Sequence, residues 1–139
     1  MNIDSIRNGI VIDHISPGKG MRLVQLLNLD REDMSVAIIK NVHSRKMGKK
    51  DIIKIDAEIP VDLDVIGFVD PEATVNRIQD GVLTEKKKIV QPKQLVNVIR
   101  CRNPRCITSV EQEIRHVFVL RDDGYRCLYC ETRAEEDRK

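Results

Sequence analysis

Apolar residues recur along this chain with two different periods. GIVIDHI, residues 9–15, is β-branched or aliphatic apart from Asp13 and His14 and reads as a strand. After the turn SPGKG, Leu23, Leu26 and Leu27 fall at helical spacing in MRLVQLLNLD, with Asn28 placed to close the helix. SVAIIKNV and DIIKID are again rich in β-branched residues and flank the polar stretch HSRKMGKK, which predicts a hairpin. DLDVIGFVD, just before Pro71, predicts a short helix. ATVNRI and VLTEKKKIV then flank Asp80-Gly81, a dipeptide favoured at tight hairpin turns because glycine tolerates positive φ. The order strand, helix, strand, strand, helix, strand, strand predicts an α+β fold of ferredoxin-like type, an antiparallel sheet with two helices on one face.

Pro92 in IVQPKQ interrupts any regular element, so the expected domains are 1–92 and 93–139. In the second, LVNVIRC, EIRHVFVLR and YRCLYC predict short strands and no helix is required, giving a small all-β domain. His43 is expected in a loop and His116 in a strand. A domain of about 45 residues with so few apolar side chains needs a metal or disulfides to be stable.

Composition narrows the function classes. The 139 residues are 41% hydrophobic and 33% charged, yet the formal net charge is only +2. No global field calls for DNA or an anionic membrane, so an anion site must come from local clustering. MNIDSIRNGI carries charges and no apolar signal core, and no window approaches the ~18 apolar residues of a membrane span. The expectation is a cytoplasmic protein with no membrane partner, in which thiols stay reduced.

All four cysteines lie beyond residue 100, as Cys101-x4-Cys106 and Cys127-x2-Cys130 with twenty residues between the pairs. Such spacing lets two turns offer thiolate pairs to one tetrahedral ion, zinc in preference to iron. Four thiolates close the coordination sphere and leave no position for an activated water, so one structural zinc per chain is expected. Arg100, Arg102, Arg105 and Arg126 adjoin the ligands and would offset their negative charge.

The first domain carries a looser constellation: Asp13 and His14 on a strand, Lys49, Lys50 and Lys54 about the second hairpin, Asn76 in ATVNRI, and Lys86. Lysines are point-charge phosphate binders, and Asp, His and Asn make directional hydrogen bonds to a sugar or base. The same lysines could equally form a solvated edge that guards a sheet against aggregation. No Walker loop, dinucleotide fingerprint or nucleophile elbow is present, and three histidines without a Ser-His-Asp context give no catalytic residues.

Taken in order, GIVIDHI, MGKKDIIKI, ATVNRI and C-x4-C…C-x2-C resemble the regulatory chain of aspartate carbamoyltransferase across nearly the whole sequence. The resemblance implies a non-catalytic subunit of pyrimidine biosynthesis. It would have a nucleotide-binding domain for CTP, UTP and ATP, a zinc domain contacting the catalytic chain, and a regulatory homodimer. It further implies that His14 approaches the phosphates and that Asp13 contacts the sugar or a neighbouring lysine. Lys54 and Asn76 would bind ribose and base, Val11 and Ile78 would line the base, and Lys50 and Lys86 would meet the phosphates. Asp4, Ser5 and Ile6 would cover the nucleotide, with backbone groups of Ile6 and Ile78 reading the base edge. Where the family often carries an aromatic residue after NRI, this chain has a hairpin tip at Gly81.

Three other readings compete. One is a zinc ribbon that binds nucleic acid, disfavoured by an aromatic content of 3% that leaves few stacking platforms. Another is an iron-centred redox protein, which would be coloured. The last is a zinc-stabilised scaffold subunit without nucleotide response.

Overall fold

The computed structural model describes residues 6–30 and 33–134. Asp4 and Ser5 lie outside the described residues. The chain forms two compact units, Met1–Gln91 and Pro92–Lys139.

In the first unit the elements are β1 (Gly9–Ile15), α1 (Gly20–Leu26), β2 (Val36–Ser44), β3 (Gly48–Ile55), α2 (Leu63–Val69), β4 (Thr74–Gln79) and β5 (Val82–Lys88). The strands form one sheet in the order β2-β3-β1-β4-β5, every neighbour antiparallel. Ile10, Ile12, Ile15, Ile53, Ile55 and Val75 point to one face, where they bury against Leu23 and Val24 of α1 and Ile66 and Val69 of α2. Both helices therefore cover the same face, and Arg22 of α1 stacks its guanidinium 5.5 Å from the Phe68 ring of α2.

Local chemistry explains where the elements stop. Asn28 adopts φ 58, its N–H bonds to the Gln25 carbonyl and the Leu29 N–H to that of Val24, a Schellman closure of α1. Asp62 caps α2 by accepting from the Asp64 N–H at 3.0 Å. Asp80 and Gly81 both have positive φ, 51 and 77, as a two-residue primed turn between β4 and β5 requires. The strands of the β2–β3 hairpin run further into HSRKMGKK than the polar composition indicates, so His43 lies in β2 opposite Lys49 rather than in a loop.

The second unit has β6 (Gln94–Val96), α3 (Ile107–Val110), β7 (Val117–Arg121) and β8 (Gly124–Cys127), with the three strands in sequence order. LVNVIRC stays extended only to Val96, because Asn97 turns into the left-handed region at φ 57. The Asn97 side chain accepts from the His116 N–H, and His116 therefore precedes β7 instead of lying in it. The short helix α3 is an addition to the all-β expectation; Cys106 is its N-cap and it is a single turn. Its core is small: Leu95, Val117, Phe118 and Tyr125, with the cysteines. Among the described residues no helix is long and apolar enough to cross a membrane.

Candidate metal centre and ligand-binding face

Two segments of the second unit, residues 101–106 and 127–130, converge on one point. Cys101 follows β6, Cys106 precedes α3, Cys127 ends β8 and Cys130 lies in the turn after it. Their sulfur atoms all lie within 4.8 Å of one another. The Cys101 and Cys130 sulfurs are 3.6 Å apart, and those of Cys106 and Cys127 3.7 Å. A disulfide needs about 2.05 Å, whereas ligands ~2.3 Å from a tetrahedral ion are separated by roughly 3.8 Å. The spacing fits a shared metal ion and excludes bonded pairs in this arrangement.

The surroundings treat the thiols unequally. Burial pushes the Cys101 thiol up to about 12 despite a hydrogen bond from the Asn103 backbone, and burial likewise raises Cys127. Cys130 goes the other way: against the pull of burial, hydrogen bonds with Thr132 and Asn103 hold it down at about 6. The Thr108 hydroxyl donates to the Cys106 sulfur at 3.1 Å. His116 Nδ1 accepts the Cys101 N–H at 3.0 Å, fixing the loop that carries this ligand. Arg126 does not serve the thiols as its position in the sequence suggests. Its guanidinium is paired with the Asp123 carboxylate and donates to the Glu131 carbonyl.

In the first unit, the sheet face turned away from the helices collects most of the remaining candidates. Val11 of β1 pairs with Lys54 of β3 on one side and Asn76 of β4 on the other, and Asn76 pairs with Lys86 of β5. Directly paired residues share a face, so Lys54, Val11, Asn76 and Lys86 form one row across four strands. Ile78 lies in the next row, between Gly9 and Leu83. Ile6 is buried close to Gly9. Asn76 Oδ1 is buried and has no hydrogen-bond partner among the described residues. A buried acceptor of this kind calls for a donor that the described residues do not supply.

Asp13 and His14 reach the same face by a distortion of β1. Ile12 pairs with Ile53 and Ile15 with Asp51, so two residues of β1 oppose the single Ile52 of β3. His14 takes φ 57 in this bulge, and its N–H is accepted by Asp13 Oδ1 at 2.7 Å. The His14 ring nitrogen Nδ1 lies 3.1 Å from the hydroxyl of Thr74, which pairs with Asp13. Consecutive side chains thus share a face that regular alternation would deny to one of them. Asp13 also accepts from Lys50 Nζ at 2.9 Å. Thr74 is a neighbour that composition did not single out. The bulge does leave a signal in the sequence: the apolar positions 10, 12 and 15 change parity, which a regular strand cannot satisfy.

Asp13 is held below its ordinary value of 3.8: burial pulls it up, but the Lys50 and His14 hydrogen bonds and their charges outweigh it. A carboxyl depressed in the folded chain contributes stability that is present above its unfolded value and lost as pH falls through the folded one. Asp13→Asn is therefore expected to weaken the first unit toward urea near neutral pH, with the difference from wild type shrinking as pH drops below 3.8. A difference independent of pH would place the effect elsewhere.

Two family models match, end to end. The aspartate carbamoyltransferase regulatory chain, allosteric domain, matches residues 1–91, and the regulatory chain, metal binding domain, matches residues 93–139. Similar curated proteins carry the name aspartate carbamoyltransferase regulatory chain. That of Clostridium tetani is 50% identical over 135 residues, covering 94% of both chains. One from Clostridium botulinum is 48% identical over 134 residues, covering 94% of this chain and 92% of its own. That of Bifidobacterium longum is 41% identical over 138 residues, covering 97% and 99%. With its two halves matched in order and its cysteines gathered on one point, the chain belongs to the family of aspartate carbamoyltransferase regulatory chains, which are non-catalytic subunits.

Proposed function

We propose that this chain senses CTP, UTP and ATP on the helix-free face of its first unit and carries the response to a catalytic chain of aspartate carbamoyltransferase through its second. The observation that supports it most is the row Lys54, Val11, Asn76 and Lys86 with the unpartnered Asn76 Oδ1 at its centre. A nucleobase amino group is a donor that would answer this acceptor, Val11 and Ile78 offer apolar contact for the base, and the lysines flank it with positive charge. Asp13 and His14 lie two and three residues further along β1, and Lys50 four residues further along β3, where phosphates or ribose would extend. Ile6 borders the base end of the same face, near Ile78.

Zinc is the metal that suits the second unit. Cys101, Cys106, Cys127 and Cys130 would hold it, and it would supply a rigid cross-link and no open coordination position. Ile107, Val110, Leu128 and Tyr129 are large apolar side chains exposed around the cysteines, a surface suited to the catalytic chain. A homodimer of regulatory chains in the cytoplasm completes the reading.

Lys54→Ala tests the nucleotide half. Calorimetric titration of the zinc-loaded wild type with CTP, ATP and GTP is expected to give saturable binding. The variant should lose about tenfold or more in affinity, the contribution of one charge-assisted contact, with its fold and zinc content unchanged. Equal affinity in both proteins would remove Lys54 from the site, and no binding by wild type would favour the scaffold without nucleotide response.

A further inference from the structure

Beneath the candidate face lies a buried carboxylate that no part of the proposed function uses. Asp51 of β3 is 1% exposed and points to the helix-covered side of the sheet. Its Oδ2 accepts the N–H groups of Gly18, at 3.0 Å, and Gly20, at 3.2 Å; its Oδ1 accepts that of Asn41, at 2.9 Å. Each donor belongs to a segment that breaks regular structure. Residues 18 and 20 flank the entry to α1. Asn41, at φ 62, lies in a second bulge, where Lys40 and Asn41 of β2 oppose Asp51 alone.

Both strands beside β3 therefore bulge at neighbouring positions, β2 opposite Asp51 and β1 opposite Ile52. A bulge leaves an N–H out of the ladder, and an unmatched buried N–H is unfavourable. In β2 the Asp51 carboxylate takes that N–H, and in β1 the Asp13 carboxylate takes the corresponding one from His14. Beyond the β1 bulge the chain is pinned from the core side as well, since Asp70 Oδ2 accepts the Ser16 N–H at 2.6 Å. Gly20 is fitted to this contact: a methyl group there would lie 3.1 Å from Asp51 Oδ2. On the opposite face, the residue preceding Asp51 is Lys50, which meets Asp13.

We propose that Asp51 is a positioning residue: from the buried side of the sheet it fixes the β2 bulge at Asn41 and the chain that leaves β1 at Gly18 and Gly20, and so holds the two segments that flank Lys50, Asp13 and His14 on the ligand-binding face. Its importance for ligand binding rests on the nucleotide reading above, but the positioning itself does not. Asp51 does not touch the ligand. It holds the αL residue Asn41 across from β3 and the segment that follows the β1 bulge, and the three ligand-facing side chains lie between these two points.

The test follows the Asp13 carboxyl by NMR titration in the full zinc-loaded chain, beside calorimetry with CTP, for wild type, Asp51→Asn and Gly20→Ala. The Asn side chain keeps one acceptor oxygen and loses the other. Gly20→Ala keeps the charge and displaces the carboxylate, so it carries the test should Asp51→Asn fail to fold. Both variants are expected to let the Asp13 pKa rise toward 3.8 as the Lys50 contact loosens. They should also weaken CTP binding by about tenfold, the scale of one lost charge-assisted hydrogen bond. Loss of the Asp51 charge alone would move Asp13 in the opposite direction, downward, because a neighbouring negative charge raises a carboxyl pKa. An Asp13 pKa that stays depressed in both variants overturns the proposal. If wild type binds no CTP, the nucleotide reading fails, and the Asp13 titration still decides the positioning role.

Discussion

Stripping the metal is expected to unfold the second unit while the first stays folded. The unit Pro92–Lys139 buries few large apolar side chains, Leu95, Val117, Phe118 and Tyr125 among them, and its strands are three to five residues long. A core of that size does not offset the entropy of ordering such a chain. Structural zinc contributes ~10–16 kcal/mol in small domains at neutral pH, enough to decide between folded and unfolded. Chelator or mercurial treatment should therefore abolish the amide dispersion of residues 92–139 and release the catalytic chain, leaving that of residues 9–88 intact. Cys106→Ser, at a ligand 1% exposed, should act the same way. Acid should mimic the chelator, since each ligand must be a thiolate and protons compete for all four. A metal-free second unit that keeps its native spectrum would contradict the structural role.

Gly9→Ala is expected to be among the most damaging single substitutions in the first unit. Gly9 is buried at the start of β1, and a methyl group there would land on the carbonyl oxygen of Ile55 and 2.8 Å from Ile6 Cγ2. The carbonyl belongs to β3 and cannot swing aside as a side chain could. Overpacking against backbone of this kind costs at least ~2 kcal/mol. For a unit of this size that lowers the melting temperature by roughly 8 °C or more. Gly18→Ala provides the contrast: at φ 91 with open space around the new methyl group, it should cost only ~1 kcal/mol of backbone strain. Because Gly9 pairs with Ile78 one row from Val11, Gly9→Ala should also weaken nucleotide binding. Equal melting temperatures for Gly9→Ala and wild type would show that β1 can shift away from β3.

Local signals carried much of this architecture. Hydrophobic period, the Asp80-Gly81 turn and Asn28 at the end of α1 are short-range features, and each acts in the structure as its chemistry dictates. The cysteine spacing is likewise local within each pair, and the fold needed only to bring the pairs together. Asp51 is the opposite case. In DIIKID it opens the β-branched run as any polar residue might, and its partners, Gly18, Gly20 and Asn41, come from segments 10 to 33 residues away. His116 follows the same logic, because its ring is fixed by the N–H of Cys101 rather than by strand pairing. The helix α3 has four residues, too few to show a period of 3.6. The alignment of Lys54, Val11, Asn76 and Lys86 depends on the register of four strands, one pair of which, β1 and β4, joins segments ending at Ile15 and beginning at Thr74.

In the proposed function a nucleotide on the sheet face alters a catalytic chain held by the metal domain. An effector can do so only if it binds two states of the assembly with different affinity, typically by ~1–3 kcal/mol. The direct measurement is the aspartate saturation curve of catalytic chain mixed with zinc-loaded wild type or Lys54→Ala, with and without CTP or ATP. A nucleotide-dependent shift of the curve with wild type, absent with Lys54→Ala in an assembly of the same size, is the predicted result. Superimposable curves with and without nucleotide, in a complex that has demonstrably formed, would contradict it.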